Sequence, residues 1–204
     1  DVASALVSGG DYKAALFFAQ LARYLNPSSS VIQLFVGEIL ETMEILPQAN
    51  KLYAEVTPAQ NIYLSSRVRI VLNLIKSHQL DQAESVMDEL IQHYPALPLF
   101  YMTKADIERE QGAYEQALTD YQKALNLVAK DDKQVAPIYF YQGLCYEALD
   151  NPAKALLLFE RALKLDPQNP IYLNYVGYLW VEENKNVPEA LKMIETANTY
   201  LPND

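Results

Sequence analysis

Few side chains in this sequence could act as a nucleophile, a base or a metal ligand. Its 204 residues include one cysteine, Cys145, and two histidines, His78 and His93. A thiolate forms at neutral pH beside a cation or a helix N-terminus, and no basic residue neighbours Cys145 in sequence, so it reads as an inert small apolar side chain. One cysteine excludes an intramolecular disulfide and a four-cysteine zinc site, and two histidines do not make up the shortfall. His78 and His93 both fall near predicted helix C-termini, where a cation favours the helix dipole, so a capping role is expected for them. The run Ser8, Gly9, Gly10, Asp11 lacks the spaced glycines and the lysine of a phosphate loop and reads as a tight turn. Adjacent carboxylates such as Glu182 and Glu183 fit a solvated helix face. No catalytic residue, cofactor or metal is expected, and the chain is read as a non-enzyme.

Charge and hydropathy narrow the partners. The chain has 26 acidic against 16 basic residues, a net charge of -10, and half its residues are apolar. That balance disfavours nucleic acid, whose phosphates call for a basic stripe. No apolar run approaches the ~20 residues needed to span a bilayer; the longest, Tyr175 to Val181, is interrupted by Gly177. The sequence starts at Asp1 without a basic-then-apolar leader, so a removed targeting segment or a piece of a longer protein is expected.

The residues that could position a site are organised by a repeat. Ala15, Ala49, Ala83, Ala117, Ala155 and Ala190 recur at spacings of 34, 34, 34, 38 and 35. The resulting units run approximately 1–29, 30–63, 64–97, 98–135, 136–169 and 170–204, with no second domain. Twelve residues before each alanine, or thirteen in the last unit, stands a small residue: Ala3, Gly37, Val71, Ala105, Gly143 and Gly177. Four residues after it comes a side chain that is mostly large: Ala19, Tyr53, Met87, Tyr121, Phe159 and Ile194. Three further on come Ala22, Val56, Leu90, Ala124, Ala162 and Ala197, and in four units a proline ends the helix: Pro27, Pro95, Pro167 and Pro202. Ala155, Leu158, Phe159, Ala162 and Leu163 form one helical stripe, with Asn151 as the N-cap and Pro152 in the first turn. The 38-residue spacing places extra residues around Lys130 to Gln134 in an inter-unit loop, and the 35-residue spacing places one near Asn184 to Asn186.

This pattern resembles the tetratricopeptide repeat along the whole chain. The resemblance implies an all-α fold, a right-handed superhelical α-solenoid of tandem helix-turn-helix units. It departs from the family at Asn61 and Ala129, where proline is expected, at Val71, and at Lys104 and Gln142. The resemblance also implies that first helices line a concave groove and bind a protein or peptide. The groove residues are then Leu34 and Glu38; Val68, Leu72 and Lys76; Met102, Asp106 and Arg109; Phe140, Leu144 and Glu147; and Asn174, Tyr178 and Val181. Such a lining suits a helix or extended peptide with apolar side chains and some basic character. Chaperone-binding members hold a C-terminal carboxylate with Lys and Asn; here the corresponding places carry Leu34, Val68, Met102, Phe140 and Asn174, then Glu38, Leu72, Asp106, Leu144 and Tyr178, so that clamp is missing.

A scaffold or adaptor is the expected function, with self-assembly through uncapped ends or the groove as the alternative and an enzyme as a remote one. A looser likeness to long bacterial envelope lipoproteins points to the periplasm or outer membrane, with the cytoplasm as the other compartment.

Overall fold

The computed structural model describes residues 2–128 and 135–200. The expected Lys130–Gln134 insertion, Ala129 and Pro202 lie outside the described residues. Among the described residues there is no strand, and twelve helices follow in order: α1 Val2–Ser8, α2 Tyr12–Leu25, α3 Ser30–Thr42, α4 Leu46–Ala54, α5 Tyr63–Lys76, α6 Leu80–His93, α7 Pro98–Glu110, α8 Tyr114–Asn126, α9 Ala136–Ala148, α10 Pro152–Leu165, α11 Pro170–Glu182 and α12 Val187–Tyr200. They form two compact units, residues 1–93 and 94–204, each built from three antiparallel hairpins. Within each unit every hairpin packs on the next.

The hairpins share one backbone solution at their tips. Gly10, Glu44, His78, Gly112, Asp150 and Asn184 all adopt positive φ, between 54° and 81°. In each case the following N–H reaches back five residues to a carbonyl: Asp11 to Leu6, Ile45 to Leu40, Gln79 to Leu74, Ala113 to Glu108, Asn151 to Tyr146 and Lys185 to Trp180, at 2.8 to 3.0 Å. This left-handed C-cap satisfies carbonyls that the first helix leaves unpaired and reverses the chain. Glycine takes that conformation without a Cβ penalty; Glu44, His78, Asp150 and Asn184 take it against one of about 1–2 kcal/mol. The extra residue of the last hairpin is absorbed by a second left-handed residue, Asn186, at φ 42°.

Helix starts follow the caps in the sequence. Asp11, Ser29, Asn151 and Asn169 each accept a hydrogen bond from a first-turn amide through their side chains. Helix ends follow the prolines, with Pro27, Pro95 and Pro167 lying just past α2, α6 and α10. Helix α4 is the exception in length, at 9 residues against 13 or 14 for the other second helices; Pro58 follows its end within four residues.

The core is the repeat pattern made physical. The six spaced alanines are all buried, at 0 or 1% exposure. In three hairpins a large side chain of the second helix presses against the glycine of the first. A Cβ on Gly37 would come within 2.6 Å of Tyr53 Cζ, one on Gly143 within 2.7 Å of Phe159 Cδ1, and one on Gly177 within 2.8 Å of Ile194 Cγ1. Where the first helix carries Val71, the second carries the unbranched and adaptable Met87, and both are buried. Residues 136–176 gather Phe140, Phe159, Tyr172 and Val176 with Ala136, Ala155 and Ala162 into one cluster. One helix departs from this economy. α2 leaves Phe17, Phe18, Leu21, Tyr24 and Leu25 between 40 and 82% exposed, a stripe at helical spacing.

The packing makes a volume-exchange prediction. Gly143→Val should cost roughly 1–3 kcal/mol by overpacking against Phe159, whereas Gly143→Val combined with Phe159→Met, copying the Val71–Met87 pair, should recover most of that loss. Urea unfolding of the two variants checks it; equal losses in both would disprove the pairing.

Candidate functional site

The expected groove residues lie on the first helices, and each compact unit presents its own set. In residues 1–93 they come from α3 and α5. Leu34 and Val68 are half-buried, while Leu72 stands 57% exposed. The charged members, Glu38 and Lys76, are each tied to a residue of the neighbouring hairpin. Arg69 donates to Glu38 at 2.5 Å and to Glu41 at 2.6 Å, Lys76 donates to Glu44 at 3.0 Å, and Asn73 donates to both Glu41 and Asn50 at 2.8 Å. Partial burial works against the Arg69 charge, but Glu38 and Glu41 outweigh it and hold its pKa raised. Glu38 and Lys76 thus act first as lateral ties between hairpins. The signal for this was in the sequence: the bonded pairs sit 28 to 32 residues apart, near the repeat period.

In residues 94–204 the expected lining comes from α7, α9 and α11. Met102 is half-buried against the cluster around Tyr121. The Tyr121 hydroxyl reaches past Ala105 and donates to Asp106 Oδ1 at 2.5 Å. The Arg109 guanidinium lies 5.1 Å over the Tyr141 ring, a cation–π contact. Burial pushes the Asp106 carboxyl above its usual range, against the opposing effects of the Tyr121 hydrogen bond and Arg109. Burial likewise pushes the Cys145 thiol up to about 11, with Arg109 pulling the other way, so the thiolate is suppressed at neutral pH.

Phe140 departs from expectation. It is 7% exposed, and its ring packs 5.0 Å from Tyr172 and Tyr175 and 5.4 Å from Phe159. Gly143, one turn on, lets Phe159 approach, and the neighbouring tyrosines close over Phe140; it is a core residue, not a surface offered to a ligand. Leu144 is half-buried on the edge of the same cluster. Glu147 and Asn174 are exposed. Tyr178 and Val181, one turn apart on α11, are 58% and 38% exposed, and a hydrogen bond with Glu182 raises the Tyr178 pKa. Of the expected groove residues on α9 and α11, Glu147, Asn174, Tyr178 and Val181 are thus exposed and Leu144 half-buried.

His78 occupies a left-handed hairpin tip, and His93 stacks edge-on against Tyr63 at 5.7 Å. Trp180 is half-buried and donates its indole N–H to Glu160 at 2.8 Å. Among the described residues no helix is long and apolar enough to cross a membrane.

Comparison with known proteins accords with this geometry. Two profiles described as tetratricopeptide repeat match residues 98–168 and 142–197. The chain is 32% identical over 124 residues to Tetratricopeptide repeat protein 1 of Schizosaccharomyces pombe, covering 60% of this chain and 12% of that protein. It is 28% identical over 99 residues to the probable UDP-N-acetylglucosamine–peptide N-acetylglucosaminyltransferase SPINDLY of Solanum lycopersicum, covering 48% and 10%. The chain therefore spans about a tenth of the length of these curated relatives. In fold it is similar to a tetratricopeptide repeat protein from Parabacteroides merdae, with TM-score 0.74, 16% identity, and coverage of 97% of this chain and 76% of that one. It is similar too to YrrB, described as a TPR protein with an unusual peptide-binding site, with TM-score 0.63, 14% identity, and coverage of 91% and 93%.

The raised Asp106 pKa fixes the sign of a pH effect. A carboxyl whose folded pKa lies above its unfolded value stabilises the fold fully below the unfolded pKa and loses that contribution as pH rises through the folded one. The stability of the wild type relative to Asp106→Asn should therefore fall as pH is raised from below the ordinary carboxylate range towards neutrality. Urea unfolding of both proteins at several pH values checks this; a constant difference would refute it.

Proposed function

Since this chain belongs to the tetratricopeptide repeat family, we propose that it is a non-catalytic protein-interaction scaffold whose first helices receive a partner segment. The observation that carries this reading is the exposure of Tyr178 and Val181 on α11, two large apolar side chains left in water on the face of a rigidly packed helix. Apolar side chains with few polar neighbours on a rigid element are what peptide recognition by a helical groove uses. The charge beside them, Glu182, favours a segment with apolar anchors and basic neighbours. Arg69 and Glu38 are tied to one another and Cys145 is buried out of reach, which suits structural roles for these groups. YrrB, similar in fold, is described as having a peptide-binding site, which is consistent with this reading.

A second reading, self-association, is favoured by the α2 stripe of Phe17, Phe18, Leu21, Tyr24 and Leu25. Exposed contiguous apolar surface of this kind marks interaction sites.

Two experiments separate these readings. Calorimetric titration with a blocked peptide of alternating leucine and lysine should give a dissociation constant at least ten-fold higher for the Tyr178→Ser, Val181→Ser variant than for the wild type; an unchanged constant in a folded variant would remove this face from the site. For self-association, light scattering should show a mass that rises with concentration and stays monomeric for Phe17→Ser with Tyr24→Ser. A wild-type mass independent of concentration would rule it out.

A further inference from the structure

The faces of α5 that carry Leu72 and Arg67 point to different surroundings. At 100° per residue, Arg67, Ile70 and Leu74 lie on nearly the opposite side of the helix from Val68, Leu72 and Lys76. On that far side a groove of about 540 Å³ opens between α4, α5 and α6, within the size range of ligand sites. It runs along α4 from Pro47 to Ala54, between that helix and the facing residues of α5 and α6.

The chemistry of the groove runs against that of the chain. Its apolar floor includes Ile70, Leu74 and Val86, and its polar rim combines two cations, Lys51 and Arg67, with the amides of Asn50, Gln79 and Gln82. No carboxylate lines it, in a protein with 26 acidic residues against 16 basic ones. The grooves beside α2–α4 and α10–α12 include Glu55 and Glu189, and the one between α8, α9 and α10, which also lacks a carboxylate, offers a single cation, Arg161. Arg67 is anchored from behind: its Nε lies 3.4 Å from Glu89 Oε1 and its guanidinium 5.0 Å over the Tyr63 ring. Glu89 also accepts from the Tyr63 hydroxyl, so its charge is shared. Lys51 forms no ion pair among the described residues and stands exposed at the rim. An open ammonium, an oriented guanidinium and several amide donors around an apolar floor suit a carboxylate carried next to an apolar group.

We propose that the α4–α5–α6 groove is a second protein-docking site, distinct from the first-helix face, and that it takes an acidic peptide segment in which a glutamate or aspartate flanks an apolar residue. The carboxylate engages Lys51 and the rim amides while the apolar neighbour covers Ile70, Leu74 and Val86. The two faces then select partners of opposite charge, because the α11 face is bordered by the Glu182 carboxylate and this groove by cations.

The test uses the whole chain and a blocked peptide with Leu-Glu-Glu-Leu at its centre, followed by fluorescence anisotropy. The peptide should bind saturably at low salt and weaken as salt rises. The isosteric Leu-Gln-Gln-Leu peptide should bind at least ten-fold more weakly, as should the acidic peptide to Lys51→Glu. Ser85→Trp, at an exposed position on the groove wall, should block binding without changing charge, and Tyr178→Ser with Val181→Ser should leave it unaltered. Absence of saturable binding, equal affinity for the amide peptide, or equal affinity for folded Lys51→Glu and Ser85→Trp proteins would overturn the proposal. Loss of binding only in the Tyr178→Ser, Val181→Ser protein would place the acidic peptide on the other face and overturn it equally.

Discussion

The close crossing of the two helices in each hairpin is the constraint on which the rest depends. A first helix presents a residue with little or no side chain, and the second helix fills the space with a ring or a flexible chain, as Tyr53 does at Gly37 and Phe159 at Gly143. A protein interior packed at crystal density has no room for both partners to be large, so the volumes are exchanged between them. That exchange sets the interhelical distance, which then decides which side chains reach the surface. Tyr121 illustrates it: because Ala105 is small, the ring passes between the helices and its hydroxyl emerges beside Asp106. A residue chosen for packing in one helix therefore also holds a half-buried titratable group of another.

Much of this was legible in the amino-acid order, because a repeat states its core several times over. The six alanines and the small residues before them are buried, and the tetratricopeptide resemblance drawn from them gives the observed helix pairs. The site was less legible. Which face of a helix is covered depends on neighbours contributed by other hairpins, and the inner-wall assignment by resemblance treats all first helices alike. Phe140 shows the consequence, since Tyr172 and Tyr175 of the following hairpin enclose it. Glu38 and Lys76 looked like contacts for a partner but satisfy Arg69 and Glu44. The left-handed residue at every hairpin tip escaped notice because only Gly10 and Gly112 advertise it, while Glu44, His78, Asp150 and Asn184 adopt it under the pull of the same capping bonds. The groove floored by Ile70 and Leu74 was invisible for a different reason. Its lining is assembled from the second helix of one hairpin and both helices of the next, so no single helix pattern records it.

The distribution of charge also gains meaning from the fold. A net charge of -10 suggests one acidic surface, yet the ties at Arg69 and Lys76 consume carboxylates on the first-helix side of residues 1–93, and Lys51 and Arg67 face away from them. Local sign, set by which helix face a residue occupies, is what an approaching segment meets within a Debye length of the surface.

The two compact units hold their hairpins together by different means. In residues 1–93 the first helices are stitched sideways by Arg69, Asn73 and Lys76 to glutamates of the preceding hairpin, whereas in residues 94–204 the neighbouring hairpins meet through Tyr121 on Tyr141 and Phe140 among Phe159, Tyr172 and Tyr175. Ionic stitching slackens as added electrolyte screens it, while aromatic seams tighten under salting-out conditions and loosen in the cold. Electrolyte therefore acts mainly on the lateral ties of the amino-terminal hairpins, and cooling mainly on the ring contacts between the carboxy-terminal ones.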